Sequence, residues 1–459
     1  MTNPENYDVL VLGSGAPGKL LAWTLASRGK RTAVVERRYV GGSCPNIACL
    51  PSKNVIQSAR VASYFRRGAE FGMALGDWNV DMTAVRDRKR RMVEGLIDLH
   101  LEKYRESGAE LVMGHGRFAG PKTLEVALND GGTRTLRGQT VIIDTGSRAR
   151  IDDIPGLKES SPLTHVEALE LDRVPEHLIV QGGGYVGLEL AQAFRRLGSR
   201  VTVIERNDSL IHREDRDVTE AVELLFRDEG VEILTATAVD RVEGRSGESV
   251  RIHAGRGAVE GTDLLVAGGR TPNTGGIGLE LAGVETDERG HIRVDERLQT
   301  TAEGVWAVGD CAGSPYFTHI GEDDFRVVLS SLTGGDRVTT GRQVPYCLFT
   351  DPELARVGLS EREARERGVG YRLAKIPLEA VLRARTLSET RGFFKALIEE
   401  EGDRILGFTA FGAEAGEVMA VAQVAMLAGL PYTTLRDAVL THPTMAEGLA
   451  ALFSTVPRG

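Results

Sequence analysis

One pattern occurs twice in the chain and restricts its fold more than any other feature. Asp8 to Leu12 is a continuous apolar run leading into Gly13-Ser14-Gly15-Ala16-Pro17-Gly18. A helical stretch follows from Lys19 to Arg28, then a second apolar run from Thr32 to Val35 that ends in Glu36. Further on, Leu178 to Val180 leads into Gly182-Gly183-Gly184-Tyr185-Val186-Gly187. A helical stretch from Leu188 to Leu197 and a run from Val201 to Ile204 follow, closed by Glu205. In each copy the acid stands 18 residues after the third glycine, and the copies are offset by 169 residues. Strand, glycine turn, helix, strand, acid is the arrangement that holds a dinucleotide. Gly13 permits the tight turn, Gly15 lets backbone approach a pyrophosphate at the helix N-terminus, and Gly18 lets helix and strand pack closely. Glu36 is placed to accept hydrogen bonds from a ribose. Gly182, Gly184, Gly187 and Glu205 take the same parts in the second copy, so two dinucleotides are expected.

Between the copies lies Gly41-Gly42-Ser43-Cys44-Pro45-Asn46-Ile47-Ala48-Cys49-Leu50-Pro51-Ser52-Lys53. Its two cysteines are five positions apart, with a lysine four positions past the second. Apolar spacing from Leu50 to Ala62 predicts a helix that begins at the cysteines. A helix N-terminus favours negative charge and lowers a thiol's pKa. A thiolate there attacks a disulfide, and a second thiolate resolves the product. The alternatives are a buried cysteine pair or half of a zinc site. Zinc would need a matching Cys/His pair elsewhere, and none is present, so no metal site is assigned. Two dinucleotides beside a redox thiol pair suggest a flavin and a nicotinamide relaying electrons to sulfur.

Four cysteines in 459 residues cannot make a disulfide scaffold. Cys311 and Cys347 stand alone and read as inert buried residues. A net charge of -9 with both signs interspersed argues against a nucleic-acid surface. The chain opens on no basic segment followed by a hydrophobic run, and Val418 to Leu430 is too short to span a bilayer. A cytoplasmic protein without a membrane segment is therefore expected, and there a close cysteine pair is catalytic rather than structural.

Arg86 to Arg91 is a basic run read as an exposed helical face, and Asp98 to Ala109 reads as helix. Val141 to Ser147 is an apolar strand ending at Thr145-Gly146, and Ile154-Pro155-Gly156 marks a linker. Asp263 to Ala267 is another strand, followed by Gly268-Gly269-Arg270-Thr271-Pro272-Asn273. Val305 to Val308 ends in Gly309-Asp310, which places a carboxylate at the carboxyl edge of a sheet, where ligands bind. From about Gln343 the texture changes. Val344 to Phe349, Arg372 to Ile376 and Phe393 to Ile398 read as antiparallel strands, and Ala413 to Ala428 and Thr433 to Val439 as helices, a third, α+β domain. Near the end, His442 and Glu447 form a candidate acid–base pair, since a carboxylate orients an imidazole and dithiol chemistry needs a proton carrier.

Taken in order, these motifs resemble those of the flavin-dependent pyridine-nucleotide disulfide oxidoreductases, the family of dihydrolipoamide dehydrogenase, glutathione reductase and mercuric reductase. The resemblance runs along nearly the whole chain. It implies an α/β fold with two Rossmann-like dinucleotide-binding domains and a C-terminal α+β dimerisation domain. An FAD domain would take residues 1–150, continued by about 274–342, an NAD(P) domain 151–273, and the dimerisation domain 343–459. It implies FAD, a homodimer and a small disulfide or dithiol substrate. By the same resemblance Cys49 would be the flavin-proximal thiol and Cys44 the interchange thiol. Lys53 would sit beside the flavin and pair with Glu189, and Asp310 would bind the flavin ribitol. Thr145, Gly146, Gly269 and Arg270 would line the cofactor sites. His442 and Glu447 would reach the disulfide of the other subunit. Tyr185 would cover the nicotinamide pocket, or serve as a core aromatic. Glu205 would favour NAD(H), with NADP(H) still open because Arg200 and Arg206 are near.

Several positions depart from the family pattern. Ala48 stands where the family has Gly, Pro45 lies within the cysteine loop, and Asp144 replaces the usual Ala. Phe317 to Phe325 resembles the mercuric- and metal-reductase branch, so a metal-ion reductase for Hg(II) or Cu(II) is the alternative. Phe453 to Gly459 lacks the cysteine pair of mercuric reductase proper.

Overall fold

In a computed structural model the described residues are 3–458 apart from Leu75 and Arg256; Met1, Thr2 and Gly459, which fall within the expected first and last domains, lie outside them. The first glycine turn belongs to a parallel sheet. Its strands run side by side as Glu110–Gly120, Thr32–Glu36, Glu5–Leu12, Thr133–Ile143 and Val305–Ala307. Alternation within each strand sorts its two faces. Val9, Val11, Val34 and Ile142 meet the helices Ala16–Ser27, Met82–Ser107 and Thr318–Leu332. Leu10, Leu12, Val35 and Ile143 meet Phe118, Leu124, Val126, Ile277 and Leu279 on the other side. Burial on both faces is why these strands are apolar at consecutive positions.

The second turn belongs to a second parallel sheet, ordered Asp263–Val266, His177–Gln181, Arg200–Ile204 and Glu232–Leu234. Its three-stranded antiparallel meander, Val239–Arg245, Ser249–Ala254 and Gly257–Gly261, leads to the strand that returns beside the first. In the first sheet Thr123–Leu128 pairs antiparallel with both its sequence neighbours and does the same job. The repeat in sequence is therefore a repeat in topology.

The third body is a five-stranded antiparallel sheet ordered Tyr346–Leu348, Glu353–Gly358, Ile405–Gly412, Phe393–Glu399 and Tyr371–Pro377. The helices Ala415–Leu427, Tyr432–Asp437 and Gly448–Ser454 accompany it. Two of its central strands, Glu353–Gly358 and Ile405–Gly412, were not foreseen. Each ends in or contains glycine, and each is recognisable only from its partners. Among the described residues no helix is long and apolar enough to cross a membrane.

Two expectations need correction. The helix expected at Asp98–Ala109 spans Met82–Ser107 and takes in the basic run. That run is not simply an exposed face: Lys89 is 2% exposed and pairs with Glu170, and Arg86 pairs with Asp172 at 2.9 Å. The run faces a neighbouring segment that local sequence does not reveal.

Lys395 lies mid-strand in the third sheet with no exposed surface. Its ammonium reaches Asp215 and Asp217 at 2.8 Å each and Glu361 at 3.2 Å. Asp215 also accepts the backbone N–H groups of Glu361 and Arg362, at 3.0 and 2.9 Å. A trio of acids able to take a cation already holds one, and the contact clamps the second body to the third. Replacing Lys395 by Met strands buried carboxylates, a defect worth about 3–5 kcal/mol. The expected result is a clear fall in the urea midpoint of the holoenzyme; an unmoved midpoint would contradict the clamp.

Candidate active site

The glycine turns are built as the spacing requires. Gly13 has φ +103° and Gly182 φ +115°, both in the region that favours glycine. A Cβ on Gly13 would lie 2.1 Å from the Asp144 carbonyl oxygen, and one on Gly182 would lie 2.7 Å from that of Ala267. Gly187 packs so closely that a Cβ would lie 2.0 Å from the Gly182 carbonyl oxygen. Gly15 and Gly184 each precede their helices, Ala16–Ser27 and Tyr185–Leu197.

The acids close these turns. Glu36 Oε2 accepts from the Ser14 N–H at 3.0 Å and hydroxyl at 2.8 Å, while Oε1 accepts from the N–H groups of Arg38 and Tyr39 at 2.7 and 2.9 Å. Glu205 Oε2 accepts from the Gly183 N–H at 2.7 Å, and Oε1 from the Asn207 N–H at 2.8 Å. Ser14 and Gly183 hold the same place in the repeat. Each acid thus fastens its own turn, a role the sequence did not disclose.

The cysteines sit on two helical pieces. Cys44 is in the short turn Ser43–Asn46, and Cys49 opens the helix Cys49–Arg66. The Asn46 side-chain amide donates to the carbonyls of Val40 and Gly42, at 2.9 and 2.8 Å, and holds the turn closed. One helical turn past Cys49, the Lys53 ammonium lies 2.7 Å from Glu189 Oε2 and 4.6 Å from the Phe349 ring centroid. Glu189 Oε1 accepts the Phe349 N–H at 3.0 Å. A further hydroxyl joins them: Thr318 Oγ1, at the first position of the helix Thr318–Leu332, is 3.5 Å from Cys49 Sγ. Sequence reasoning passed over Thr318, although it lies in the segment that departs from the lipoamide pattern.

These neighbours polarise the pair. The Cys44 thiol donates toward Cys49, and together with the Thr318 hydroxyl and the Lys53 ammonium it pulls the Cys49 pKa down against burial. Cys44, as donor and as a buried group, is pushed up. The outcome is a pair in which Cys49 gives up its proton more readily than Cys44. Burial raises Cys311 to about 12 and also raises Cys347, as expected for inert thiols, although Cys347 is only partly buried.

Some of the other candidate residues gather around the first sheet's carboxyl edge. Asp310 accepts from the Ser147 hydroxyl, and Arg270 Nε donates to that hydroxyl at 2.7 Å and lies 3.6 Å from Asp310 Oδ2. Gly146 has φ +64°, and the adjacent Thr145 hydroxyl is buried without a partner. The Gly269 carbonyl accepts the Arg150 N–H at 3.0 Å. Tyr185 packs against Tyr346 and Phe317, with ring centroids 5.4 and 6.4 Å away. His442 Nδ1 lies 2.9 Å from Glu447 Oε2, but its side chain is 64% exposed, and no described contact joins it to the cysteines of its own chain.

Residues 7–324 match the family model described as pyridine nucleotide-disulphide oxidoreductase, and 344–452 match that family's dimerisation domain. The chain belongs to this family. Among its relatives is the probable pyridine nucleotide-disulfide oxidoreductase RclA of Escherichia coli, 35% identical over 98% of this chain and 100% of that protein. A mercuric reductase of Streptomyces lividans is 36% identical over 96% of this chain and 94% of its own length. The solved Cu(II) complex of the HOCl-induced flavoprotein disulfide reductase RclA from Escherichia coli superposes with a TM-score of 0.91 at 34% identity, covering 99% of this chain and 100% of that one. A pyridine nucleotide-disulphide oxidoreductase works with FAD and a nicotinamide nucleotide, and the matched dimerisation domain points to a homodimer. The glycine cradle and the orphaned Thr145 hydroxyl fit a flavin dinucleotide at the first turn.

Asp144 is explained by the same turn. Ala267 occupies its place in the second copy, beside Gly182 as Asp144 is beside Gly13. The longer side chain reaches across the turn, and its Oδ2 accepts the Gly18 N–H at 2.9 Å. Burial raises its pKa well above the usual carboxylate range, with Asp310 and Glu36 adding to the shift and the Gly18 N–H and Lys19 opposing it. A pyrophosphate brought to this turn favours the protonated acid. FAD affinity of the apoprotein should therefore weaken as pH rises, by at most about tenfold per pH unit. Asp144→Asn should flatten that slope in fluorescence titrations; a slope that persists in the variant would disprove the linkage.

Proposed function

We propose that the enzyme carries electrons from a nicotinamide nucleotide to the Cys44–Cys49 pair and on to a small disulfide. The polarised thiol pair, flanked by Lys53, Glu189 and Thr318, is the observation that carries this reading. Bound FAD supplies the two-electron link between nicotinamide and sulfur. Gly13, Gly15, Gly18, Glu36, Thr145, Gly146, Asp310 and Arg270 would hold it. Gly182, Gly184, Gly187, Glu205 and Gly269 would serve the nicotinamide nucleotide, with Tyr185 over its pocket. Domain boundaries near 150, 273 and 342 accompany this assignment.

In the reduced enzyme His442 of the partner subunit takes the Cys44 proton, and the Cys44 thiolate attacks one sulfur of the substrate, forming a mixed disulfide while the substrate's S–S bond breaks. The departing thiolate takes a proton from His442 of the partner subunit, whose imidazole Glu447 orients. The Cys49 thiolate then attacks Cys44, closing the Cys44–Cys49 bond and releasing the second substrate sulfur as a thiolate, which takes its proton from solvent. Lys53 steadies the negative charge on Cys49 in both steps.

NADH is the favoured donor. Glu205 would repel a 2′-phosphate, and Arg200 is already engaged with Glu232 at 3.4 Å. A second reading, reduction of a metal ion such as Hg(II) or Cu(II), is favoured by the mercuric reductases among the relatives and by the Cu(II) complex of RclA. Thiolates bind such ions well.

Steady-state assays with NADH and NADPH against lipoamide, glutathione disulfide, other small disulfides, Hg(II) and Cu(II) should show turnover of a disulfide with NADH preferred. Turnover of metal ions alone would replace the first reading by the second. His442→Ala should lower disulfide turnover by about a hundredfold or more, the range of a lost general acid. It should spare NADH oxidation by artificial one-electron acceptors; equal loss of both activities would mark His442 as structural.

A further inference from the structure

A cation beside the cysteine turn has no part in the scheme above. Lys19 directly follows the third glycine of the first turn. Its ammonium lies 2.7 Å from His100 Nε2, 3.3 Å from the Gly41 carbonyl oxygen and 5.9 Å from the Trp23 ring centroid. His100 is buried, and its Nδ1 lies 2.5 Å from the Leu96 carbonyl oxygen. A carbonyl can only accept, so Nδ1 carries the proton and Nε2 receives the Lys19 N–H. Among the described residues Lys19 makes these contacts and no ion pair. A half-buried ammonium held by two neutral acceptors favours anionic groups nearby, because burial removes solvation that an anion best replaces.

Three acidic groups face it from the elements packed around it: Cys44, Asp144 and Glu322 on the helix Thr318–Leu332, with Cys44 acting most strongly. Asp144 is engaged by Gly18. The cysteine turn is locked against the helix that carries Lys19. A Cβ on Gly42 would lie 2.6 Å from the Gly15 Cα, and the Lys19 N–H donates to the Gly15 carbonyl at 3.0 Å. His100 packs on the other side of the same turn, where a Cβ on Gly41 would meet its ring at 3.1 Å. The ammonium is thus held against the backbone of the turn that carries Cys44. Lys19 and the Thr318 hydroxyl favour the Cys44 thiolate, against burial and the adjacent Cys49.

We infer that Lys19 is the counter-ion of the attacking Cys44 thiolate and the positioning cation that draws anionic acceptors, carboxylate-bearing disulfides above all, to that sulfur. The inference rests on Cys44 being the interchange thiol.

The test alkylates the two-electron-reduced holoenzyme with iodoacetate and, separately, with neutral iodoacetamide across pH, and locates the label by mass spectrometry. In the native enzyme iodoacetate should be favoured, relative to iodoacetamide, more than with glutathione measured alongside. Lys19→Met should lower the iodoacetate-to-iodoacetamide ratio by about tenfold, the order expected for loss of one nearby unit charge, and move both pH profiles upward. Lys19→Arg should restore the ratio, which a merely structural role would not predict. Label on Cys44 with an unchanged ratio and profile in Lys19→Met would overturn the inference and leave the proposed function standing. Label appearing first on Cys49 would instead overturn the assignment of Cys44, and the inference with it.

Discussion

Three separately built parts of the chain meet at one carboxylate. Glu189 lies on the helix that follows the second glycine turn and is 6% exposed. One of its oxygens holds Lys53, on the helix that begins at Cys49, and the other holds the Phe349 backbone just past the strand Tyr346–Leu348 of the third sheet. A buried carboxylate cannot remain charged without such partners, so the contact is obligatory for the fold as well as useful to the site. Because Lys53 is held there, its ammonium stays within reach of Cys49, and the pull on that thiol follows. The electrostatics of the sulfur pair therefore depend on the docking of the two nucleotide-binding bodies against the third.

The internal repeat provides its own control. Both copies use glycine where a Cβ would collide with a neighbouring carbonyl, and both close the turn with an acid bonded to the same backbone position. They diverge where Ala267 in one copy is Asp144 in the other. The substitution places an acid across the first turn without disturbing its geometry, since the Gly18 N–H receives it. The departure from the family pattern at this position is thus a local exchange of solvent-free space for a hydrogen-bonded carboxyl.

Charges in this protein do most of their structural work in clusters around a buried partner. Lys395 among three acids, Arg356 between Glu214 and Glu363, and Arg196 between Glu229 and Asp351 all bridge segments distant in sequence. Among the described residues Lys19 differs, a half-buried cation held by neutral acceptors without an ion pair. Exceptions of this kind stand out only against the many charges that are paired, and they are where reactivity is expected.

Sequence alone determined the two dinucleotide folds, the placing of Cys44 and Cys49 at the start of a helix, and the pairing of His442 with Glu447. Each is written in residues close enough together for spacing to imply geometry: a period of glycines, a helix start, five positions between imidazole and carboxylate. Tertiary structure decided what depends on distant segments. The Lys53–Glu189 pair was foreseen through resemblance alone. The Thr318 hydroxyl on Cys49, the Asp144 bond to Gly18, the burial of Lys89 and the setting of Lys19 were not visible in the linear order. Their partners lie up to 269 residues away, and only close packing of helices and sheet edges brings them within hydrogen-bonding range, where desolvation turns ordinary side chains into groups of altered acidity.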